Sequence, residues 1–146
     1  NTTILDRKKG YIKALEDNGI PVDENLIIAS KFKPNCGYHM TQELLEKAPY
    51  ITAIFAYNDQ LALGVYLYLQ KKGLRIPEDI SVIGYDNTEL ATLLNPSLTT
   101  VGQPRKEMGI SAAELLVKRI REQKSIIPQT ILLPTTLIVR DSVRKL

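Results

Sequence analysis

Three apolar stretches end in side chains able to engage a small polar ligand: Phe32 after "NLIIASK", Asn58 and Asp59 after "ITAIFAY", Asp86 and Asn87 after "SVIGY". A carboxylate or amide can hold two neighbouring hydroxyls while an aromatic ring covers the apolar face of a sugar, so the set suits a small polyhydroxylated molecule. Each member also has a structural reading. Asn58 or Asp59 can cap a helix, Asp86 and Asn87 can form a turn, and Phe32 can belong to the core. A second constellation, Cys36 with His39, has the helical spacing of a nucleophile and its base. Nothing near it supplies an orienting acid or an oxyanion hole, so an enzyme is not expected. One cysteine and one histidine cannot close a metal shell, and neither a metal nor another cofactor is expected.

The elements that would position these residues alternate. "DRKKGYIKALEDNGI" has Tyr11, Ala14 and Leu15 at helical spacing and closes on Asn18-Gly19. "NLIIASKF" reads as a strand, "TQELLEKA" as a helix beginning near Gly37, and "ITAIFAY" as a strand followed by a helix to Gly73. After the Pro77 loop, "DISVIGYD" is a strand, "NTELATLLN" a short helix stopped by Pro96, and "LTTV" a brief extended piece. Pro104 suits the first position of a helix whose Met108, Ala112, Leu115, Leu116 and Ile120 share a face. "TILLPTTLIVRDS" is extended, and Pro134 confines part of it to an edge or a crossing segment. Strands separated by crossover helices predict an α/β fold: a parallel open sheet with helices on both faces. In such sheets ligands bind beyond the carboxyl ends of the strands, where the first set of residues falls.

The helix "DQLALGVYLYLQ" is apolar on two sides. Leu61, Val65 and Leu69 form one stripe, and Leu63, Tyr66, Leu67 and Gln70 another. One stripe serves a core; the second implies a partner surface, or burial under the chain's own last segment.

With 146 residues and 44% hydrophobic content, the chain can build one core. It contains no apolar run of membrane-spanning length, and no membrane contact is expected. A single cysteine excludes an internal disulfide framework and fits a reducing, cytoplasmic setting. Net charge is +3, and the basic clusters Arg7–Lys9, Lys71–Lys72 and Lys118–Arg121 fall on or just after predicted helices. They read as solvated faces rather than as a nucleic-acid footprint.

The run "AIFAYNDQLALGVYLYLQKKGLRIPEDISVIGYDNTELATLLNPSLTTVGQPRKEMG", with "RKKGYIKAL" before it and "LLPTTLIVRDS" after it, closely resembles the effector-binding domain of the lactose-repressor/galactose-repressor family of bacterial transcription regulators. The resemblance covers nearly the whole chain and implies the carboxyl-terminal subdomain of a periplasmic-binding-protein-like fold. It implies that Arg7 binds effector hydroxyls or a carboxylate, that Phe32 stacks, that Asn58 and Asp86 contact hydroxyls, and that Gln103 lies on the hinge side of the pocket. "KFKPNCG" departs from the family in lacking an acidic residue before the aromatic and in carrying Pro34. The family's helix-turn-helix headpiece and most of its amino-terminal subdomain have no counterpart here. The chain is therefore expected to be the carboxyl-terminal part of a longer regulator, meeting operator DNA only through a headpiece outside these residues. On this reading residues 1–102 form the subdomain, 103–124 a hinge and a helix that packs on the other subdomain, and 125–146 a returning strand and tail. The resemblance also implies a homodimer, through Leu63, Tyr66, Leu67, Leu90, Leu93 and Leu94. The expected function is sensing of a sugar or nucleoside-like effector; the alternative is an extracytoplasmic sugar-binding protein of a transport system.

Overall fold

The computed structural model describes residues 2–29, 36–122 and 128–144. Helix α1 spans Thr2–Asp17, α2 Cys36–Lys47, α3 Asp59–Lys72, α4 Leu90–Leu93 and α5 Arg105–Glu122. Strands β1 (Ala53–Phe55), β2 (Ser81–Asp86), β3 (Thr99–Gly102) and β4 (Thr136–Ile138) form one sheet in the order β1-β2-β3-β4. The first three are parallel; β4 runs antiparallel along β3, pairing Gly102 with Thr136 and Thr100 with Ile138. The sheet is thus open and mostly parallel, and the piece after Pro134 is its edge.

Alternation along β2 assigns the two faces. Val82 and Gly84 are buried beneath α3, whereas Tyr85 points to the opposite face, where Arg7 of α1 lies over its ring. Ile54 repeats the pattern on β1, buried between exposed neighbours, with Phe55 stacked on Tyr11 of α1 at 6.3 Å. Helices therefore cover both faces. The core lies on the α3 side, where Ala62, Val65, Leu69, Val82, Ala91 and Leu98 are buried together. Helix α2 reaches that core through α3. The two helices cross backbone to backbone at Gly37 and Gly64, since a Cβ on Gly64 would overlap the Tyr38 amide and one on Gly37 the Leu61 carbonyl.

Three expectations change. Within the strand expected over Asn25–Phe32, the described residues Asn25–Ala29 join no strand of the sheet, and Ser30, Lys31 and Phe32 lie outside the described residues. The Asp23 carboxylate accepts the Asn25 amide at 2.9 Å and closes a 3-10 turn over Glu24–Leu26, after which Ile27 is extended but joins no ladder. Ile27 and Ile28 are half-buried, so the apolar run marked burial rather than pairing. Tyr66 is the second change: only 6% exposed, it belongs to the core and not to an outer stripe. Its hydroxyl donates to the Pro96 carbonyl at 2.9 Å, and burial pushes its pKa up to about 12. For this residue the covering agents are the Pro96 turn and the chain's last segment at Asp141 and Ser142.

The third is the role of "RDS", which is more than an extended tail. Ser142 is fully buried between the starts of β2 and β3: its hydroxyl donates to the Val82 carbonyl at 2.6 Å and accepts the Thr99 amide at 2.8 Å. The Ser142 carbonyl accepts the Val82 amide at 2.8 Å, and the Ser97 hydroxyl donates to Asp141 at 2.6 Å. Ser142→Ala would orphan a buried donor and weaken a buried acceptor, costing about 2–4 kcal/mol. A thermal melt should shift down by roughly 5–15 °C. An unchanged melting temperature would show that Ser142 is not what joins the strands.

Candidate functional site

The carboxyl ends of the parallel strands meet α1 on one rim. Asp86 ends β2, and its Oδ1 accepts Arg7 Nη2 at 3.1 Å and Gln103 Nε2 at 2.5 Å. Arg7 Nη1 donates to the Tyr57 carbonyl at 2.6 Å. The guanidinium carbon lies 3.7 Å from the Tyr85 ring centre and 4.3 Å from that of Tyr57, so two aromatic faces fix the plane of the cation. The ion pair is partly buried, its side chains 14% and 23% exposed. Both partners keep some contact with solvent.

The backbone beneath Asp86 is unusual. Asp86 has φ 103° and Asn87 φ 47°, two consecutive residues with a Cβ in the left-handed half of conformational space. Asparagine tolerates that region; for Asp86, such geometry costs of order 1–3 kcal/mol. Arg105 Nη2 donates to the Asp86 carbonyl at 2.7 Å, and Arg140 Nη2 to Asn87 Oδ1 at 2.8 Å.

Of the residues anticipated from sequence, Arg7, Asp86 and Gln103 are brought into direct contact. Asn58 caps α3, with extended backbone and Oδ1 accepting the Leu61 amide at 2.8 Å. Among the described residues no group accepts from its Nδ2. Asp59 turns away from the rim into the core. Phe32 lies outside the described residues. Tyr57, Tyr85, Arg105 and Arg140 also shape the rim and were not anticipated as site residues. Alternation along "SVIGYD" could have placed Tyr85 opposite the α3-covered Gly84, but α1 docking on that face is not local information.

Cys36 and His39 do not form a nucleophile–base pair. Cys36 Sγ donates to Met40 Sδ at 3.2 Å within α2, while His39 is exposed and edge-on to Tyr38 at 5.4 Å. Among the described residues no group of three or more His, Cys, Asp or Glu side chains could hold a metal ion, and no helix is long and apolar enough to cross a membrane.

The anticipated outer face divides. Leu67 is 47% and Leu93 73% exposed, Leu63 and Leu90 are half-buried, and Leu94 packs partly against the core. A second exposed apolar surface runs along α5, through Met108, Ile110, Leu116, Val117 and Ile120.

Comparison with known proteins agrees with this architecture. Residues 1–143 match the family described as periplasmic binding protein-like domain. The HTH-type transcriptional repressor PurR of Vibrio atlanticus is 45% identical over 82% of this chain, which spans 36% of that repressor. PurR of Actinobacillus pleuropneumoniae is 37% identical over 99% of the chain, spanning 44% of the relative. Among solved structures, the transcriptional regulator CelR in complex with cellobiose superposes with a TM-score of 0.87 at 38% identity, covering 94% of this chain and 42% of that one. A LacI family regulator from Enterococcus faecium with bound ribose gives 0.83 at 39% identity, with 94% and 50% covered. The chain thus spans less than half the length of these curated relatives, which are transcriptional repressors. Fold, motif order and similarity agree: the chain belongs to the LacI family of transcription regulators and is part of their periplasmic-binding-protein-like effector domain.

Proposed function

We propose that this chain is the part of a dimeric bacterial DNA-binding regulator that senses a small polyhydroxylated effector, a sugar or a nucleoside, in the cytoplasm. The observation that carries the reading is the joined set Arg7, Asp86 and Gln103 at the carboxyl ends of parallel strands. Arg7 and Asp86 offer donors and acceptors in a fixed plane, Asn58 adds an amide, and Phe32 is assigned the stacking role. A carboxylate held by two donors keeps lone pairs for ligand hydroxyls. The apolar side chains of α5 are assigned to contact with the remainder of the regulator, with residues 103–124 as hinge and helix and 125–146 as the return. Effector binding across that cleft would favour one arrangement of the two halves and bias the DNA-binding segments, which requires only different affinity for the two states.

Calorimetric titration of the whole regulator with ribose, cellobiose and adenosine tests this. One of the three is expected to bind once per subunit, and Arg7→Ala is expected to lose that binding. No binding by any of them, or unchanged binding by Arg7→Ala, would overturn the assignment.

A further inference from the structure

Asp59 is a fully buried carboxylate, and the described residues supply it no salt-bridge partner. It begins α3, where the helix dipole favours an anion, but the cap is already provided by Asn58. Capping therefore does not explain it. Its Oδ2 accepts the Thr88 amide at 2.6 Å and the Thr88 hydroxyl at 3.0 Å; its Oδ1 accepts the Thr100 hydroxyl at 2.6 Å. Thr100 Oγ1 in turn accepts the Asn87 amide at 3.4 Å. Two successive amides after Asp86 are thus held, one directly and one through Thr100, by a single buried carboxylate. Glycine at 84 makes the room, since a Cβ there would lie 2.5 Å from Asp59 Oδ1.

The other side of the turn is held as firmly. Arg140 grips Asn87 Oδ1, and its own orientation is set by Nη1 donating to the Leu98 carbonyl at 2.7 Å. A turn with φ 103° and 47° persists only where its surroundings over-determine it. We propose that Asp59, with Arg140 opposite, is a positioning residue that clamps the Asp86–Thr88 turn and so presents the Asp86 carboxylate to the effector in a fixed direction. The proposal rests on the reading of Asp86 as an effector contact, and it assigns Asp59 no contact with ligand. Pre-organising a binding group removes the ordering cost from the binding step.

The test uses amide hydrogen exchange on the whole regulator without ligand, followed by titration with ribose. In Asp59→Ala and in Arg140→Gln, the amides of Asn87 and Thr88 should exchange roughly tenfold faster or more, while those of central β2 and α3 keep their protection. Asp59→Asn should be a partial rescue, because its carbonyl can still accept from Thr88 and its amide can donate to Thr100 Oγ1. Should Asp59→Ala not fold, Thr88→Val, which deletes only the hydroxyl bond, takes its place with a smaller local effect. Unchanged exchange at 87–88, or a uniform rise through the whole domain, would overturn the clamp. For ribose, Asp59→Asn should weaken binding in the wild-type background and add nothing in Asp86→Ala; additive losses would refute the positioning role. If the wild-type regulator does not bind ribose, the choice of effector fails while the exchange result still decides the clamp.

Discussion

Asp86→Gly is expected to lose roughly 10–150-fold in effector affinity while melting within a few degrees of the wild-type protein. Two opposing terms set the stability. Glycine relieves a φ of 103°, worth about 1–3 kcal/mol, but enlarges the freedom of the unfolded chain, frees Gln103 and deletes a partly exposed ion pair with Arg7 worth about 0–1 kcal/mol. They nearly cancel. The affinity term has no such offset, since ligand hydroxyls lose a charged acceptor worth about 1.5–3 kcal/mol. Asp86→Ala should lose the same affinity and also melt lower, because alanine keeps the Cβ that makes this conformation costly and still frees Gln103. Titration of both variants with whichever of ribose, cellobiose or adenosine the wild-type regulator binds, together with thermal melts, measures the two terms. Full affinity in either variant would show that the carboxylate is a structural link between Arg7 and Gln103 and nothing more. A glycine variant melting far below wild type would show that these links, not the ligand, account for the strained turn.

What could be seen in the sequence follows from the range of the forces involved. Strand β2 and helix α3 are legible because their signals are local: alternation along "SVIGYD", a capping asparagine, and Gly73 at φ 70° closing the helix. The rim was legible at Asp86, since topology alone puts the carboxyl end of a parallel strand there. Arg7 and Gln103 needed the family resemblance, because an arginine on a helix carries no mark of the sheet face it will meet. The long-range links were not visible. Tyr66 has the helical spacing of an outer stripe, yet Pro96 and Ser142, distant in the chain, fold over it. Asp59 and Asn58 are interchangeable as capping residues on paper, and only the space left by Gly84 shows which side chain turns inward. Of the strand expected over Asn25–Phe32, the described part Asn25–Ala29 has the right apolar content, but content does not supply a neighbour. The Asp23 turn took its first residues instead.

The apolar face of α3 and α4 makes the sharpest separation of core from interface. Leu93 is 73% and Leu67 47% exposed, with Leu63 and Leu90 half-buried, while Val65 on the same helix is 4% exposed. If the exposed leucines meet a second subunit, Leu93→Lys places an ammonium in an apolar contact, where desolvation costs several kcal/mol unless the subunits part. Dissociation returns that charge to water. The expected product in the whole regulator is a folded monomer whose midpoint no longer rises with protein concentration. Val65→Lys has no such exit, because its surroundings belong to the same chain, and it should unfold the domain whatever the state of association. Sedimentation and thermal melts on the two variants separate the outcomes. A Leu93→Lys regulator that remains dimeric with an unchanged melting point would remove α4 from the interface, and the same result for Leu67→Lys would remove α3.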